Sequence, residues 1–189
     1  MDPPPSRLAG LWMLGYSIAE LFTKRGEMPV YRSAIGKLEK WKDNPRRKPL
    51  IVWGARQVGK TYLIKDIFAE TYYANKYLYI DFRIEKEICD YCEKHVSAKE
   101  ITEFISAVKG KKIDSNTLLL FDEIQECPAI ITSLKYFCQD MPEIPVIATG
   151  SMVSVFGMSV NDVWCIQTIT FSIFSCWVIR YIPGFRWVL

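Results

Sequence analysis

Gly54-Ala55-Arg56-Gln57-Val58-Gly59-Lys60-Thr61 fits the pattern G-x-x-x-x-G-K-[ST], between an apolar run at Leu50–Trp53 and a stretch that can form a helix. No other feature restricts the fold as much, because a loop of this kind works only as a strand-to-helix turn. Its glycines allow positive φ and close backbone approach, and the first turn of the following helix carries unpaired N–H groups suited to a phosphate. The eight residues Gly54 to Thr61 are therefore the candidate phosphate-binding set. Lys60 is expected to reach the β- and γ-phosphates, and Thr61 to offer its hydroxyl to Mg²⁺. Arg56 is expected to shape the loop or face a neighbouring molecule. The alternative is a glycine-containing β–α turn with an exposed lysine.

A chain of 189 residues suits one domain with a proper core. Half its residues are hydrophobic and 24% are charged, which excludes a wholly disordered chain. A net charge of +3 is too mild to argue for nucleic acid. Lys40, Lys42, Arg46, Arg47 and Lys48 do form a basic cluster before the first strand, readable as a solvated face or as a DNA or RNA contact. The six cysteines have no secreted-framework spacing, so a reduced cytoplasmic setting is expected. Cys89-x-x-Cys92 with His95 lacks the second close pair of a zinc site, and these cysteines read as small apolar residues.

Apolar spacing predicts a helix over 31–42, a strand at Leu50–Trp53, and a helix through about Glu70 with Leu63, Ile64, Ile67 and Phe68 on one face. A second strand follows at Tyr77–Phe82, then a charged helix over 85–93. Ser97-Ala98-Lys99-Glu100 has the form of a capping box. It opens a helix with Ile101, Phe104, Ile105 and Val108 on its apolar stripe, stopped by Gly110. Pro128 suits the first position of another helix, with Ile130, Ile131, Leu134, Phe137 and Cys138 as its buried stripe.

The second chemical motif is Thr117-Leu118-Leu119-Leu120-Phe121-Asp122-Glu123, a buried strand ending on two adjacent carboxylates. In a parallel sheet these lie at the carboxyl edge, beside the phosphate loop. Consecutive side chains of a strand point to opposite sides unless the backbone turns. Asp122 is thus expected to hold Mg²⁺ through water, and Glu123 to orient and polarise an attacking water. Val146–Ser151 predicts a fourth strand. Thr149 or Ser151 would bond the γ-phosphate or the attacking water, or else satisfy local turn backbone.

The wording GARQVGKT at 54–61, Tyr79-Ile80-Asp81-Phe82, FDEIQECP at 121–128, Ser133-Leu134-Lys135-Tyr136-Phe137 and Ala148-Thr149-Gly150-Ser151 resembles bacterial and archaeal AAA-type P-loop ATPases that are often joined to a carboxyl-terminal domain of unknown function. The resemblance covers about Met28 to Met152, with a weaker echo at Ile166–Phe171. It implies an ATP-binding and hydrolysing domain with a central five-stranded sheet, an extra strand between those bearing the two motifs, Glu123 as the catalytic acid-bearing residue, and a polar sensor on the fourth strand. The expected fold is a three-layer α/β P-loop domain with a mainly parallel sheet, taken to span 28–171.

Residues 1–27 have no counterpart in that family and read as an uncertain extension. Val163 to Ile179 is uncharged but diluted by Gln167, Thr168, Thr170, Ser172 and Ser175, and shorter than the ~20 apolar residues of a spanning helix. The stretch 172–189 is expected to be the apolar remnant of a truncated or frame-altered gene end, with a membrane segment the lesser reading. For the chemistry, Lys60 and Glu123 are the expected catalytic residues and ATP with Mg²⁺ the expected ligands. An arginine finger is worth about 10³ to 10⁵ in rate; no arginine of this chain is assigned that role, and a second copy or a partner domain could supply it. The rival readings are a nucleotide-dependent switch without efficient hydrolysis, a DNA-associated module, and an inactive fragment.

Overall fold

The structure, a computed structural model, describes residues 29–151 and 165–171. The extension 1–27, the tail 172–189 and most of the uncharged stretch 163–179 lie outside the described residues. Five strands, β1 (Leu50–Gly54), β2 (Tyr77–Asp81), β3 (Leu118–Asp122), β4 (Val146–Ser151) and β5 (Gln167–Phe171), form one sheet of order β2-β3-β4-β1-β5. Every pairing is parallel. β4 is thus inserted between β1 and β3, so the strand leading into the phosphate loop and the strand carrying the two acids flank it.

β3 and β4 are buried along their whole length, as unbroken apolar runs in a parallel sheet must be when both faces are covered. Alternate residues feed two cores. Leu119, Phe121, Val146 and Ala148 face a layer made by α3 (Lys86–Lys94), α4 (Ala98–Lys109) and α5 (Pro128–Asp140). Leu50, Val52, Leu118, Leu120 and Ile147 face α1 (Pro29–Asp43) and α2, whose segments are Tyr62–Ala69 and Glu70–Tyr72. These are the three layers of an α/β P-loop fold. Within α2 the stretch Tyr62–Ala69 is π-wound, and the Glu70 N–H reaches the Lys65 carbonyl five residues back.

Local rules hold at two helix ends. Pro128 occupies the first turn of α5, where its missing N–H costs nothing, and Gly110 ends α4 at φ 62. The capping box at Ser97 does not form. Ser97 is the N-cap residue, but its side chain makes no capping bond, and Glu100 lies 3.4 Å from His95 instead. Val108 is 42% exposed, because the last turn of α4 runs past the edge of the core. On α5 the buried face is Ile130, Ser133, Leu134 and Phe137, with Ile131 and Cys138 only half-buried. Among the described residues no helix is long and apolar enough to cross a membrane.

Gly150 in β4 leaves room for the Trp53 ring of β1. A Cβ there would stand 2.3 Å from Trp53 Cζ3 and 3.2 Å from Ile124 Cγ1. A rigid indole cannot give that much without moving backbone, so Gly150→Ala is expected to destabilise the fold by about 1–3 kcal/mol, the usual cost of overpacking. Urea denaturation checks this, and an unshifted midpoint contradicts it.

Candidate functional site

The loop from Gly54 to Thr61 turns the chain from the end of β1 into the start of α2. Gly59 takes φ 80, a value open to glycine, whereas Gln57 also enters the left-handed region at φ 61, which its residue type did not signal. Lys60 is 7% exposed and lies across the loop, donating from Nζ to the carbonyls of Gly54 (3.0 Å) and Ala55 (2.7 Å). Burial pushes its amine below the ordinary lysine range, and the charges of Glu123 and Asp122 oppose that shift.

β3 brings the acids to the same edge. Tyr79, Asp122 and Thr149 come from three adjacent strands and meet the first turn of α2. Asp122 is 1% exposed. Its Oδ2 accepts from Thr61 Oγ1 at 2.9 Å and from the Tyr79 hydroxyl at 2.6 Å. Its Oδ1 accepts from the Thr149 hydroxyl and, at 3.1 Å, from the Glu123 N–H. Burial, then the bond to Asp122, raises the Tyr79 phenol above its ordinary range, so it remains a donor at neutral pH.

Glu123 follows at φ 55, in the left-handed region, and begins the short 3₁₀ turn Ile124–Glu126. That reversal of the backbone separates the two neighbouring carboxylates. Asp122 is shut in among its donors, and Glu123 lines a cavity of about 620 Å³. Residues 56–62 line the cavity together with Arg83, Lys86, Glu123, Gln125 and Glu126. Arg83 grips Asp81 with Nε (3.0 Å) and Nη2 (2.7 Å), which holds the Asp81 carboxyl below its usual range. Its Nη1 lies 3.7 Å from Glu123 Oε1.

The expected residues therefore fall into two groups. Arg56, Gln57, Val58, Gly59, Lys60, Thr61 and Glu123 line the cavity. Gly54, Ala55, Asp122, Thr149 and Ser151 do not line it: Gly54 and Ala55 turn their carbonyls to Lys60, Asp122 and Thr149 are bonded to each other, and the fully buried Ser151 hydroxyl has no hydrogen-bond partner among the described residues. Sequence reasoning did not select Tyr79, Arg83 or Gln125. Tyr79 and Gln125 lay within the wording shared with the family, with no role attached, and Arg83 was a polar residue just past the end of β2.

Thr61 Oγ1 beside Asp122 Oδ2 offers the hydroxyl and carboxylate oxygens that a hard divalent cation takes. The donor set fits magnesium, which is bound by few protein groups and completes its shell with phosphate oxygens and water. Among the described residues there is no group of three or more His, Cys, Asp or Glu that could hold a metal without such help.

The basic cluster, the described cysteines and His95 do not line the cavity. In the basic cluster, Lys42 pairs with Asp43, and Arg47 donates to the Glu143 carbonyl at 2.8 Å. Cys89, Cys92 and Cys127 are buried together under α3, and burial pushes the Cys89 thiol up to about 12. His95 stacks on Tyr91, with ring centroids 4.2 Å apart.

No curated protein matches the sequence. Among solved structures, the chain is similar to AMPPCP-bound DnaA from Aquifex aeolicus, at 14% identity and a TM-score of 0.46 over 85% of this chain. It covers 52% of that DnaA chain, about half its length. A family model described as "AAA domain" matches residues 46–162, a span that holds both the phosphate loop and the acidic strand end. By that match over more than half its length, the chain belongs to the AAA domain family.

Proposed function

We propose that this chain binds ATP and hydrolyses it in a magnesium-dependent reaction, with residues 28–171 as the working domain. The observation that carries the reading is the contact of Thr61 with Asp122, which closes the phosphate loop onto the acidic end of β3 beside a cavity wide enough for a ligand. Membership of the AAA domain family supports it.

In this reading the loop amides from Ala55 to Thr61 hold phosphate oxygens, as N–H groups at a helix N-terminus do. Lys60 exchanges the carbonyls of Gly54 and Ala55 for the β- and γ-phosphates, keeping the ammonium paired throughout. Thr61 and Asp122 are the residues that would hold magnesium, which when bound neutralises charge on the phosphate oxygens. Glu123, at the cavity wall, orients water in line with the γ-phosphate and polarises it. Thr149 acts on Asp122 through its hydroxyl bond, and Ser151 acts through its backbone N–H, whose hydrogen bond Gln125 accepts. An arginine from a second copy or a partner domain would speed turnover, since phosphoryl transfer gains chiefly from positioning and charge stabilisation. The setting proposed is the cytoplasm.

Lys60→Ala is expected to weaken MgATP binding about ten- to hundredfold, the worth of a charge-assisted hydrogen bond of about 1.5–3 kcal/mol. Calorimetric titration of both proteins checks this, and equal affinities would remove the nucleotide reading altogether. Glu123→Gln should bind ATP and lose hydrolysis by roughly 10² or more, the range for removing a general base. A single-turnover assay decides it, and a rate equal to that of the unsubstituted chain refutes the role. Chelation of magnesium with EDTA should stop cleavage in the same assay, and undiminished cleavage would exclude a metal role for Thr61 and Asp122.

A further inference from the structure

We propose that Gln125 is a positioning residue for Glu123, tying that carboxylate to the end of β4; the inference rests on the ATPase reading above. Gln125 Nε2 donates to Glu123 Oε2, and Gln125 Oε1 accepts from the Ser151 N–H at 3.0 Å. A carboxylate can only accept and a backbone N–H can only donate, so the amide satisfies both partners in one orientation alone. The tie is tertiary: Gln125 and Ser151 are 26 residues apart in sequence and belong to neighbouring strand ends.

The other oxygen of the Glu123 carboxylate faces a cation. Arg83 Nη1 stands 3.7 Å from Oε1, and Arg83 is itself fixed by its two bonds to Asp81. A glutamate on an open cavity wall would otherwise sample several staggered rotamers. The Gln125 bond to Oε2, with the Arg83 charge near Oε1, favours one placement of the carboxylate at the cavity. The two acids at the end of β3 are thus both tied to β4 by separate links, Asp122 through the Thr149 hydroxyl and Glu123 through the Gln125 amide.

An ångström of misplacement in a reacting group costs on the order of a hundredfold in rate without requiring any loss of binding. A residue that only packs would behave differently, since an isosteric apolar side chain would replace it.

The test compares the full-length chain with Gln125→Met and Gln125→Glu, measuring single-turnover cleavage of MgATP and, separately, ATP affinity, with circular dichroism as the check of folding. Gln125→Met keeps length and volume but makes neither bond. Gln125→Glu keeps an acceptor for the Ser151 N–H and sets a second carboxylate against the first. Both variants are expected to cleave about ten- to a hundredfold more slowly, with affinity changed by no more than about twofold, the pattern of a group needed only in the transition state. Cleavage by a folded Gln125→Met at the unsubstituted rate overturns the inference and leaves the ATPase reading standing. So does a loss of rate matched by an equal loss of affinity. If the unsubstituted chain binds ATP without cleaving it, the hydrolytic reading falls, and this inference falls with it.

Discussion

The Asp122 carboxylate, almost fully buried at the end of β3, is the interaction on which the rest of the site depends. An isolated carboxylate in so dry a place would be prohibitively unstable, and it survives because four donors surround it. They come from Thr61 at the start of α2, Tyr79 in β2, Thr149 in β4 and the N–H of Glu123. A charge satisfied from so many separate elements fixes their relative placement. Taking away one donor would leave the remaining partners to compensate for a buried anion, so the cluster acts as a unit.

Strand order makes this convergence available. With β4 between β1 and β3, the residues of one sheet face run from Tyr79 through Asp122 to Thr149, and the loop leaving β1 reaches the same edge from the next strand over. Parallel pairing throughout places every strand's carboxyl end on that edge. On the opposite face, Trp53 lies close over Gly150, which leaves no space for a side chain at that point. The core on that side and the polar cluster on this one are therefore held by the same strands.

Much of the fold was legible because it rests on simple patterns. Leu118–Phe121 and Val146–Ala148 are unbroken apolar runs, and a doubly covered parallel strand asks for nothing else. Pro128 and Gly110 mark helix ends by their own covalent limits. The phosphate loop was legible because its spacing is tied to one turn. What sequence could not give were contacts that depend on which strand lies beside which. Tyr79 reaches Asp122 across 43 residues, and neither residue's neighbours in sequence indicate it. Arg83 and Gln125 are polar residues just beyond strand ends, where polar residues are ordinary. The capping box failed for a related reason. Ser97 and Glu100 have the right spacing, but His95 gives the glutamate another partner. Val108 followed the helical period faithfully and simply outran the core.

The backbone reversal at Glu123 has a consequence for how this domain tolerates change. A left-handed conformation is uphill for a residue with a branched or extended side chain, by roughly 1–2 kcal/mol, and nearly free for glycine. Selection for mere durability would favour glycine at that position, while any chemistry performed by the carboxylate forbids it. Under the proposed reaction the end of β3 is thus a place where robustness and activity pull in opposite directions, and a library screened for thermal resistance alone would be drawn toward sturdier chains that lack the carboxylate.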